Sequence, residues 1–274
     1  MAMLRLSDAQ LDACLGDPHA AAPVDAERLC GLDRDGARVR LETLRPWLAE
    51  QQTLLRARRQ EALLVWLQGP DCAGKDGAIR QVFAGLGPQG LAVHGFRQPT
   101  AAERAEGFLE RYRRCLPAPG EVVLFNRSPY EGVACDLFDG FIAAADIPAR
   151  LAQLAAFEDE LAGRGIRLLK VYLQISRVEQ KARLRKRLLD PRKHWKVGAE
   201  DLEAHRQFDR REAHWAGILA ASQRSPAPWR LIPANHKWLR DLLLASLVAR
   251  EFERLDQRWP SPPLPFGLDE LERA

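Results

Sequence analysis

The sequence predicts an α/β fold in which helices cover both faces of a central parallel sheet. Short runs rich in Val, Leu, Ile and aromatic residues alternate with longer stretches of helical periodicity. The short runs lack the in–out alternation of half-exposed strands, which indicates strands buried from both sides. A length of 274 residues suits one domain of this class.

The expected elements follow in chain order. Residues 1–37 carry Gly, Pro and Asp at short intervals, so we expect a loosely structured lead-in. A domain over residues 38–258 follows, and a Pro-rich tail, 259–274, ends it. The predicted strands are residues 62–68, 91–96, 121–126, 168–175 and 229–233. The predicted helices are residues 37–60, 75–86, 101–115, 148–163, 178–189, 199–222 and 237–255.

Composition excludes several classes of function. A formal charge of +4, from 41 basic and 37 acidic residues, is too small to require a nucleic-acid partner. No stretch is long and apolar enough to span a membrane, and the N-terminal residues lack the pattern of a secretory signal, so we expect a cytoplasmic protein with no membrane partner. The five cysteines are scattered without a C-x-x-C pair, which favours reduced thiols over a zinc site.

A candidate phosphate loop follows the first predicted strand. The segment GPDCAGK, residues 69–75, has the form G-x-x-x-x-G-K between a strand and a helix. Glycines allow backbone N–H groups to converge on a phosphate, and the helix N-terminus and Lys75 add positive charge. Asp76 stands where such loops ordinarily place a metal-binding hydroxyl, and Asp71 offers a hard oxygen ligand instead. The alternative is a plain glycine-containing turn.

A second candidate site lies where the third predicted strand ends. The segment NRSPYE, residues 126–131, should lie at the carboxyl edge of the sheet, where α/β proteins bind ligands. Arg127 is suited to contact phosphate, whereas Asn126 is a weaker metal ligand than the Asp common at this position. Taken alone, the segment also fits an ordinary strand-to-helix turn.

The third feature is a strongly basic segment, residues 177–196. It holds nine basic residues against Glu179 and Asp190, and like charges at this density repel one another along a helix. A polyanion would relieve that repulsion, although a solvated basic face is the alternative. A helix, an Asp-Pro break and a polar loop are together typical of a lid that closes over a phosphoryl-transfer site. We therefore expect a lid over about residues 177–205.

These segments together resemble the polyphosphate kinase 2 family. The resemblance runs from about residue 54 to 255 and rests on GPDCAGKDGAIR, FRQPT, FNRSPYEG, LQISRVEQKARLRKRLLDPRKHWK and IPANHKW. It implies a P-loop kinase-like three-layer α/β/α fold with a helical lid. Cys72 and Pro129 depart from the family pattern, and the segment GVACDLFDG after Glu131 is unfamiliar.

The resemblance also implies roles for residues. The expected catalytic residues are Asp71, Lys75, Arg127, Arg183 and Arg187. The expected phosphate contacts are Gly69, Ala73, Gly74, Lys75, Asp76, Gly77, Arg177, Lys181, Lys193 and Lys196. The expected nucleotide contacts are Arg97, Pro99, Thr100, Asn126, Ser128 and Tyr130. Asp71 and Glu131 are the expected metal ligands.

The implied activity is transfer of a phosphoryl group between inorganic polyphosphate and a nucleoside mono- or diphosphate. The implied cofactor is Mg²⁺, with Mn²⁺ as its substitute, and the implied nucleotides are AMP, ADP and ATP and their guanine counterparts. A homo-oligomer, dimer or tetramer, is also implied. The alternatives are an ATP-dependent nucleoside or nucleotide kinase and a non-catalytic protein that binds nucleotide or polyanion.

Overall fold

The centre of the molecule is a five-stranded parallel sheet in the order β2-β3-β1-β4-β5. A computed structural model describes residues 5–20, 25–224 and 226–274. The strands are β1 (Ala62–Gln68), β2 (Leu91–Gly95), β3 (Val122–Asn126), β4 (Ile166–Gln174) and β5 (Trp229–Pro233). The α/β class with a parallel sheet is therefore confirmed, and every predicted strand is present.

Helices pack against both faces of the sheet. Helices α1, α2, α3 and α11 share one apolar core with the sheet, and α5, α6, α7 and α10 share the other. The bounds are α1 (Asp8–Cys14), α2 (Arg34–Arg58), α3 (Lys75–Val82), α4 (Ala101–Glu106), α5 (Glu110–Arg113), α6 (Glu131–Phe138), α7 (Ile147–Gly163), α8 (Arg177–Leu188), α9 (Ala199–Arg206), α10 (Phe208–Ala221), α11 (Lys237–Arg254) and α12 (Leu268–Arg273).

Helix boundaries depart from the sequence prediction in three places. The predicted helix 101–115 breaks into α4 and α5 because Gly107 adopts a left-handed φ of +104° at the end of α4. The predicted helix 199–222 is likewise divided, at Gln207, into α9 and α10. Helix α6 was not predicted, because it is short and begins directly after the Ser-Pro turn at residues 128–129.

The N-terminal segment is more ordered than its composition predicts. Ser7 caps α1 with a complete capping box, and Leu6 and Leu11 are fully buried. The backbone N–H of Gly16 donates to Leu231 O on edge strand β5 at 2.9 Å. Within residues 1–37, positions 1–4 and 21–24 lie outside the described residues. Apolar contact with α11 and the sheet thus orders a segment of weak local preference.

The tail, residues 259–274, is exposed along its length and contains the short helix α12 near its end. Among the described residues, no helix is both long enough and apolar enough to cross a lipid bilayer. All five cysteines are free thiols.

A buried ion pair joins the second core to the sheet. Lys170 Nζ on β4 lies 2.7 Å from Glu158 Oε1 on α7, and both residues are at least 96% buried. Tyr130 donates its hydroxyl to the same carboxylate oxygen at 2.8 Å. Burial raises the pKa of Glu158 and lowers the pKa of Lys170, because each charged form loses its hydration. Each charge is therefore tolerated here only because the other is present.

We predict that breaking this pair costs more stability than removing it. Lys170→Met should lower the free energy of unfolding by about 3–5 kcal/mol, because Glu158 is left buried without a counter-charge. The double variant Lys170→Met/Glu158→Leu should be more stable than Lys170→Met. Urea unfolding of both single variants and the double variant checks this. Simple additivity of the two single effects would contradict it.

Candidate active site

The loop between β1 and α3 offers a set of unpaired backbone donors. Cys72 and Gly74 adopt left-handed φ angles of +68° and +97°, which turn the chain tightly into the eight-residue helix α3. Among the described residues, the N–H groups at positions 71, 72 and 74–77 donate no hydrogen bond to the protein. Unpaired N–H groups at a helix N-terminus form an anion-binding concavity. The predicted loop residues from Gly69 to Gly77 all belong to this turn.

Lys75 lies beneath the loop as a buried cation. Its Nζ donates to Gly69 O at 2.6 Å and to Pro70 O at 3.2 Å, and 9% of the residue is exposed. Burial and the neighbouring Arg127 lower the pKa of Lys75 and outweigh the attraction of Asp71. A phosphate in the loop would supply the negative charge that this ammonium group lacks.

Arg127 forms ion pairs with both of the expected metal ligands, Asp71 and Glu131. Its Nη2 lies 3.0 Å from Asp71 Oδ1 and its Nη1 lies 3.0 Å from Glu131 Oε2. Glu131 also accepts a hydrogen bond from Gln68 Nε2 at 2.5 Å. Burial alone would raise the pKa of Asp71 and of Glu131, but Arg127 holds both below their ordinary values. Both carboxylates therefore stay ionised next to the phosphate loop.

Asp76 connects three separate parts of the chain. Its carboxylate accepts from Asn126 Nδ2 on β3 at 2.8 Å and from Lys196 Nζ at 2.8 Å. Lys196 ends a 3₁₀ turn, Pro191–Lys196, that follows α8. The hydrogen bond from Lys196, supported by Asn126, lowers the pKa of Asp76. The basic segment therefore contacts the start of α3 through Lys196. Asn126 contacts the same carboxylate, Asp76, from β3.

Arg187 belongs to the same cluster. Its Nη1 donates to Lys196 O at 3.1 Å and lies 3.9 Å from Asp201 Oδ1. Its charge also lowers the pKa of Asp71, together with the charges of Arg127 and Lys75. Arg187 is therefore close enough to the loop to act on a bound phosphate.

Arg183 occupies a different position from the one expected for a catalytic arginine. It is 7% exposed, and its guanidinium lies under the phosphate loop. A guanidinium has five N–H donors, and every nitrogen of Arg183 donates to the protein. The acceptors are Glu179 Oε1 and the carbonyl oxygens of Cys72, Ala73, Ala234 and Asn235. All five donors are used within the protein, so a direct contact of Arg183 with phosphate stays a prediction.

The remaining basic residues of the predicted lid lie further out. Arg177 pairs with Asp209 at 2.7 Å, and Lys193 pairs with Asp190 at 2.9 Å. Lys181 is exposed and forms no ion pair within the described residues. None of these three side chains contacts the phosphate loop in the described parts of the chain, so their contact with phosphate stays a prediction.

Two residues expected to bind nucleotide are instead part of the interior. Ser128 is fully buried, and both its N–H and its hydroxyl donate to Gln68 Oε1, at 2.9 and 3.1 Å. Tyr130 is 1% exposed and donates to Glu158. The turn after β3 therefore points both side chains into the core, and their contact with a nucleotide stays a prediction.

Two of the other nucleotide candidates, Arg97 and Pro99, line a cavity of about 200 Å³ beside the cluster. Thr100 caps α4 by accepting from Glu103 N, which fixes the rim. The cavity walls include Arg97, Pro99, Phe108, Arg111, Phe141 and Arg150. Arg127 and Glu131 also line it, so the cavity opens directly onto the phosphate cluster.

Aromatic rings and guanidinium groups alternate in the cavity wall. The Arg150 guanidinium lies 4.6 Å from the centre of the Phe108 ring, and that of Arg104 lies 4.4 Å from the centre of the Phe141 ring. Apolar ring faces suit a nucleobase, and the arginines suit its phosphates. The aromatic residues carry no local sequence motif, which is why sequence reasoning did not find them.

Asp201 is a further carboxylate that sequence reasoning missed. Burial raises its pKa and the charge of Asp71 raises it further, so two carboxylates face one region. A divalent cation would relieve that repulsion, and its preferred ligands are carboxylate oxygens. Within the described residues, no three His, Cys, Asp or Glu side chains are grouped closely enough to enclose a metal ion. A cation held by these carboxylates would therefore have to take further ligands from phosphates.

Comparison with known proteins gives a consistent result. Residues 31–259 match the family described as Polyphosphate kinase 2 (PPK2). The chain is 38% identical over 222 residues to the AMP/ADP-polyphosphate phosphotransferase of Meiothermus ruber, over 81% of this chain and 83% of that protein. It is 32% identical over 225 residues to the ADP-polyphosphate phosphotransferase of Rhodopseudomonas palustris, over 78% of each. The crystal structure of Polyphosphate Kinase 2 from Arthrobacter aurescens TC1 superimposes with a TM-score of 0.88 at 32% identity, over 96% of this chain and 94% of that one.

Glu212, also missed in the sequence, makes stability depend on pH. It accepts from the Tyr172 hydroxyl at 2.8 Å. Burial raises its pKa from 4.5 to about 7, although the bond from Tyr172 and the charge of Lys75 oppose the shift. The folded protein therefore holds this proton at pH values where the unfolded chain releases it, so the carboxyl lowers stability as the pH rises through that window.

We predict that Glu212→Gln is stabilising at high pH. The amide keeps an acceptor for Tyr172 and carries no charge. Relative to the native protein, the variant should gain roughly 1–3 kcal/mol of unfolding free energy between about pH 5 and pH 8. Urea unfolding of both proteins at the two pH values measures this, and a difference that does not change with pH would refute it.

Proposed function

The chain belongs to the polyphosphate kinase 2 family, and we propose that it transfers phosphoryl groups between inorganic polyphosphate and nucleoside mono- or diphosphates. One observation carries this proposal: cations from three separate segments meet around a loop with unpaired N–H groups. They are Lys75, Arg127, and the pair Arg187 and Lys196. That arrangement suits a reaction in which every reacting group is a phosphate.

The chemistry of phosphoryl transfer explains why cations dominate this site. The transition state is loose, and its charge is spread over the equatorial oxygens of the transferred group. Preorganised cations and N–H donors stabilise that charge without reorganising. The acceptor is an already ionised phosphate oxygen, so the reaction needs no general base. We assign charge stabilisation to Lys75, Arg127 and Arg187.

The cavity beside the cluster is the proposed acceptor site. Phe108 and Phe141 would contact the base, while Arg97 and Arg111 would lie near the sugar and the phosphates. The cavity opens at Arg127, so a terminal phosphate of a bound nucleotide would reach the loop. The relatives that carry AMP/ADP and GDP in their names support nucleoside mono- and diphosphates of adenine or guanine as acceptors.

The carboxylates around the loop fit a divalent cation, and we propose Mg²⁺, with Mn²⁺ as its substitute. Asp71 is the principal proposed ligand, with Glu131 and Asp201 nearby. When bound, the ion neutralises charge on the phosphates between donor and acceptor. Arg127 pairs with Asp71 and with Glu131 at 3.0 Å and would hold both carboxylates in place for the ion. A cytoplasmic location and a homo-oligomeric state remain expectations from the sequence and from the family resemblance.

Donor choice tests the proposal against an ATP-dependent kinase and against a non-catalytic binding protein. Purified protein is incubated with Mg²⁺ and ADP, with either long-chain polyphosphate or a second nucleotide as donor. ATP formation only with polyphosphate is the expected result. Formation only from a second nucleotide would identify a nucleotide kinase, and binding without turnover would identify a binding protein.

We predict that the loop variants lose transfer while they stay folded. Lys75→Ala and Asp71→Asn should each lower kcat with polyphosphate and ADP by at least about 100-fold, because the first removes a cation next to the loop and the second removes the charge of the principal proposed metal ligand. Arg38→Ala, on the exposed surface of α2, is the control and should keep native activity. Near-native rates in either loop variant, with a native circular-dichroism spectrum, would rule out this mechanism.

Gly132 provides a separate test of the acceptor cavity. A Cβ at this position would lie 2.5 Å from Phe108 Cδ2, so the ring must move. We predict that Gly132→Ala raises the KM for the nucleotide roughly tenfold, about 1.4 kcal/mol, and leaves the KM for polyphosphate within twofold. Gly217→Ala, whose Cβ would meet no atom within 4 Å, is the matched control. Equal changes in both KM values would place the nucleotide elsewhere.

A further inference from the structure

The carbonyl oxygens of the phosphate loop accept hydrogen bonds from the buried side chains of Lys75, Gln180 and Arg183. Gly69 O and Pro70 O accept from Lys75, and Asp71 O accepts from Gln180 Nε2 at 3.1 Å. Cys72 O and Ala73 O both accept from Arg183 Nη1 at 2.9 Å. The C=O and N–H of one peptide unit point in opposite directions, so holding these carbonyls below the loop directs the next N–H groups to its other side.

Arg183 ties the loop to two other parts of the fold. Its Nη2 donates to Ala234 O at 2.7 Å and to Asn235 O at 2.8 Å, in the connection between β5 and α11. Its Nε donates to Glu179 Oε1 at 2.7 Å, one turn earlier on α8. Only a planar guanidinium can satisfy acceptors on three sides in this way, and a lysine ammonium has one nitrogen to offer.

Arg240 supports the same loop from the first turn of α11. It is 2% exposed, and its Nε and Nη2 bind Asp241 Oδ1 at 2.8 and 2.6 Å. Its Nη1 lies 3.5 Å from Ala73 O and 2.1 Å from where a Cβ on Gly74 would lie. The loop backbone therefore rests directly on this guanidinium, and only glycine fits at the contact.

The two guanidinium groups also place positive charge under the loop. Burial lowers the pKa of Arg240, and the charge of Arg183 lowers it further, against the attraction of Asp241. An anion in the loop would offset this repulsion. Neither arginine needs to contact the anion directly. Both guanidinium groups are buried, so water screens their attraction for an anion in the loop only weakly.

We propose that Arg183 and Arg240 are positioning residues, which hold the phosphate loop in its anion-binding conformation before substrate arrives. This inference rests on the proposed function and assigns Arg183 a role through the loop rather than on the phosphate. It also means that α8 is fixed to the loop at Arg183. Any lid movement then begins beyond Arg183, in the segment that carries Arg187 and Lys196.

The test compares two arginines of one helix in the full-length protein. Arg183→Lys keeps the charge but loses most of the carbonyl contacts, whereas Arg185→Lys alters an exposed neighbour with no ion pair in the described residues. For both variants and the native protein, calorimetry measures the affinity for inorganic tripolyphosphate, and steady-state kinetics with polyphosphate and ADP give kcat and KM. We expect Arg183→Lys to weaken tripolyphosphate binding at least tenfold and to lower kcat at least tenfold. The KM for ADP should stay within twofold, and Arg185→Lys should match the native protein.

The outcomes separate the two proposals. If the native protein binds tripolyphosphate but transfers nothing, the proposed function fails. If the native protein transfers and folded Arg183→Lys equals it in affinity and kcat, only the positioning role fails. A direct phosphate contact by Arg183 would also weaken tripolyphosphate binding, so Arg240→Lys separates the two roles, because in the described residues Arg240 reaches the loop only at Ala73 O. Parallel losses in affinity and kcat in folded Arg183→Lys and Arg240→Lys support positioning, whereas a loss in Arg183→Lys alone overturns it. If Arg183→Lys does not fold, Arg240→Lys gives the same comparison, because it keeps a cation beside Asp241.

Discussion

The structure of the site depends on one constraint, the balance of charge in a largely buried space. Burial and the neighbouring Arg127 lower the pKa of Lys75, whereas Glu131 and Asp71 raise the pKa of Arg127. Charges removed from water are stable only when they are paired and hydrogen-bonded. The cluster is therefore arranged so that bound phosphates and a cation complete it. The same groups that require this compensation are the ones that would stabilise the transferring phosphoryl group.

The sheet order explains why distant segments meet. The phosphate loop follows β1, the Asn-Arg segment follows β3 and the basic helix follows β4. Strands β3 and β4 are the two direct neighbours of β1. Adjacent parallel strands lie about 4.8 Å apart and end at one edge, so residues that leave them reach the same cleft. The fold thus concentrates cations from 120 residues of sequence into one place.

The basic helix shows how finely the tertiary structure assigns roles. Arg183 and Arg187 are one turn apart and equivalent in chemistry. Arg183 lies under the loop and donates to its carbonyl oxygens, whereas Arg187 lies 3.9 Å from Asp201 and its charge lowers the pKa of Asp71. The difference arises because α8 contacts the phosphate loop and the β5–α11 connection at Arg183. The next turn of the helix, at Arg187, contacts Lys196 instead. A single helix therefore supplies both support for the loop and charge for the reaction.

The sequence by itself determined the fold class, every strand and the phosphate loop, because strongly apolar runs and Gly-rich turns have strong local preferences. Its motifs also identified Asp71, Lys75 and Arg127, whose proximity the structure shows. The order of α1 in the N-terminal segment, the burial of Ser128 and Tyr130, and the roles of Asp201, Glu212 and Arg240 were decided only by tertiary structure. Those features depend on which side chains are brought together by packing. A local sequence pattern does not indicate contacts between residues that are far apart in the chain.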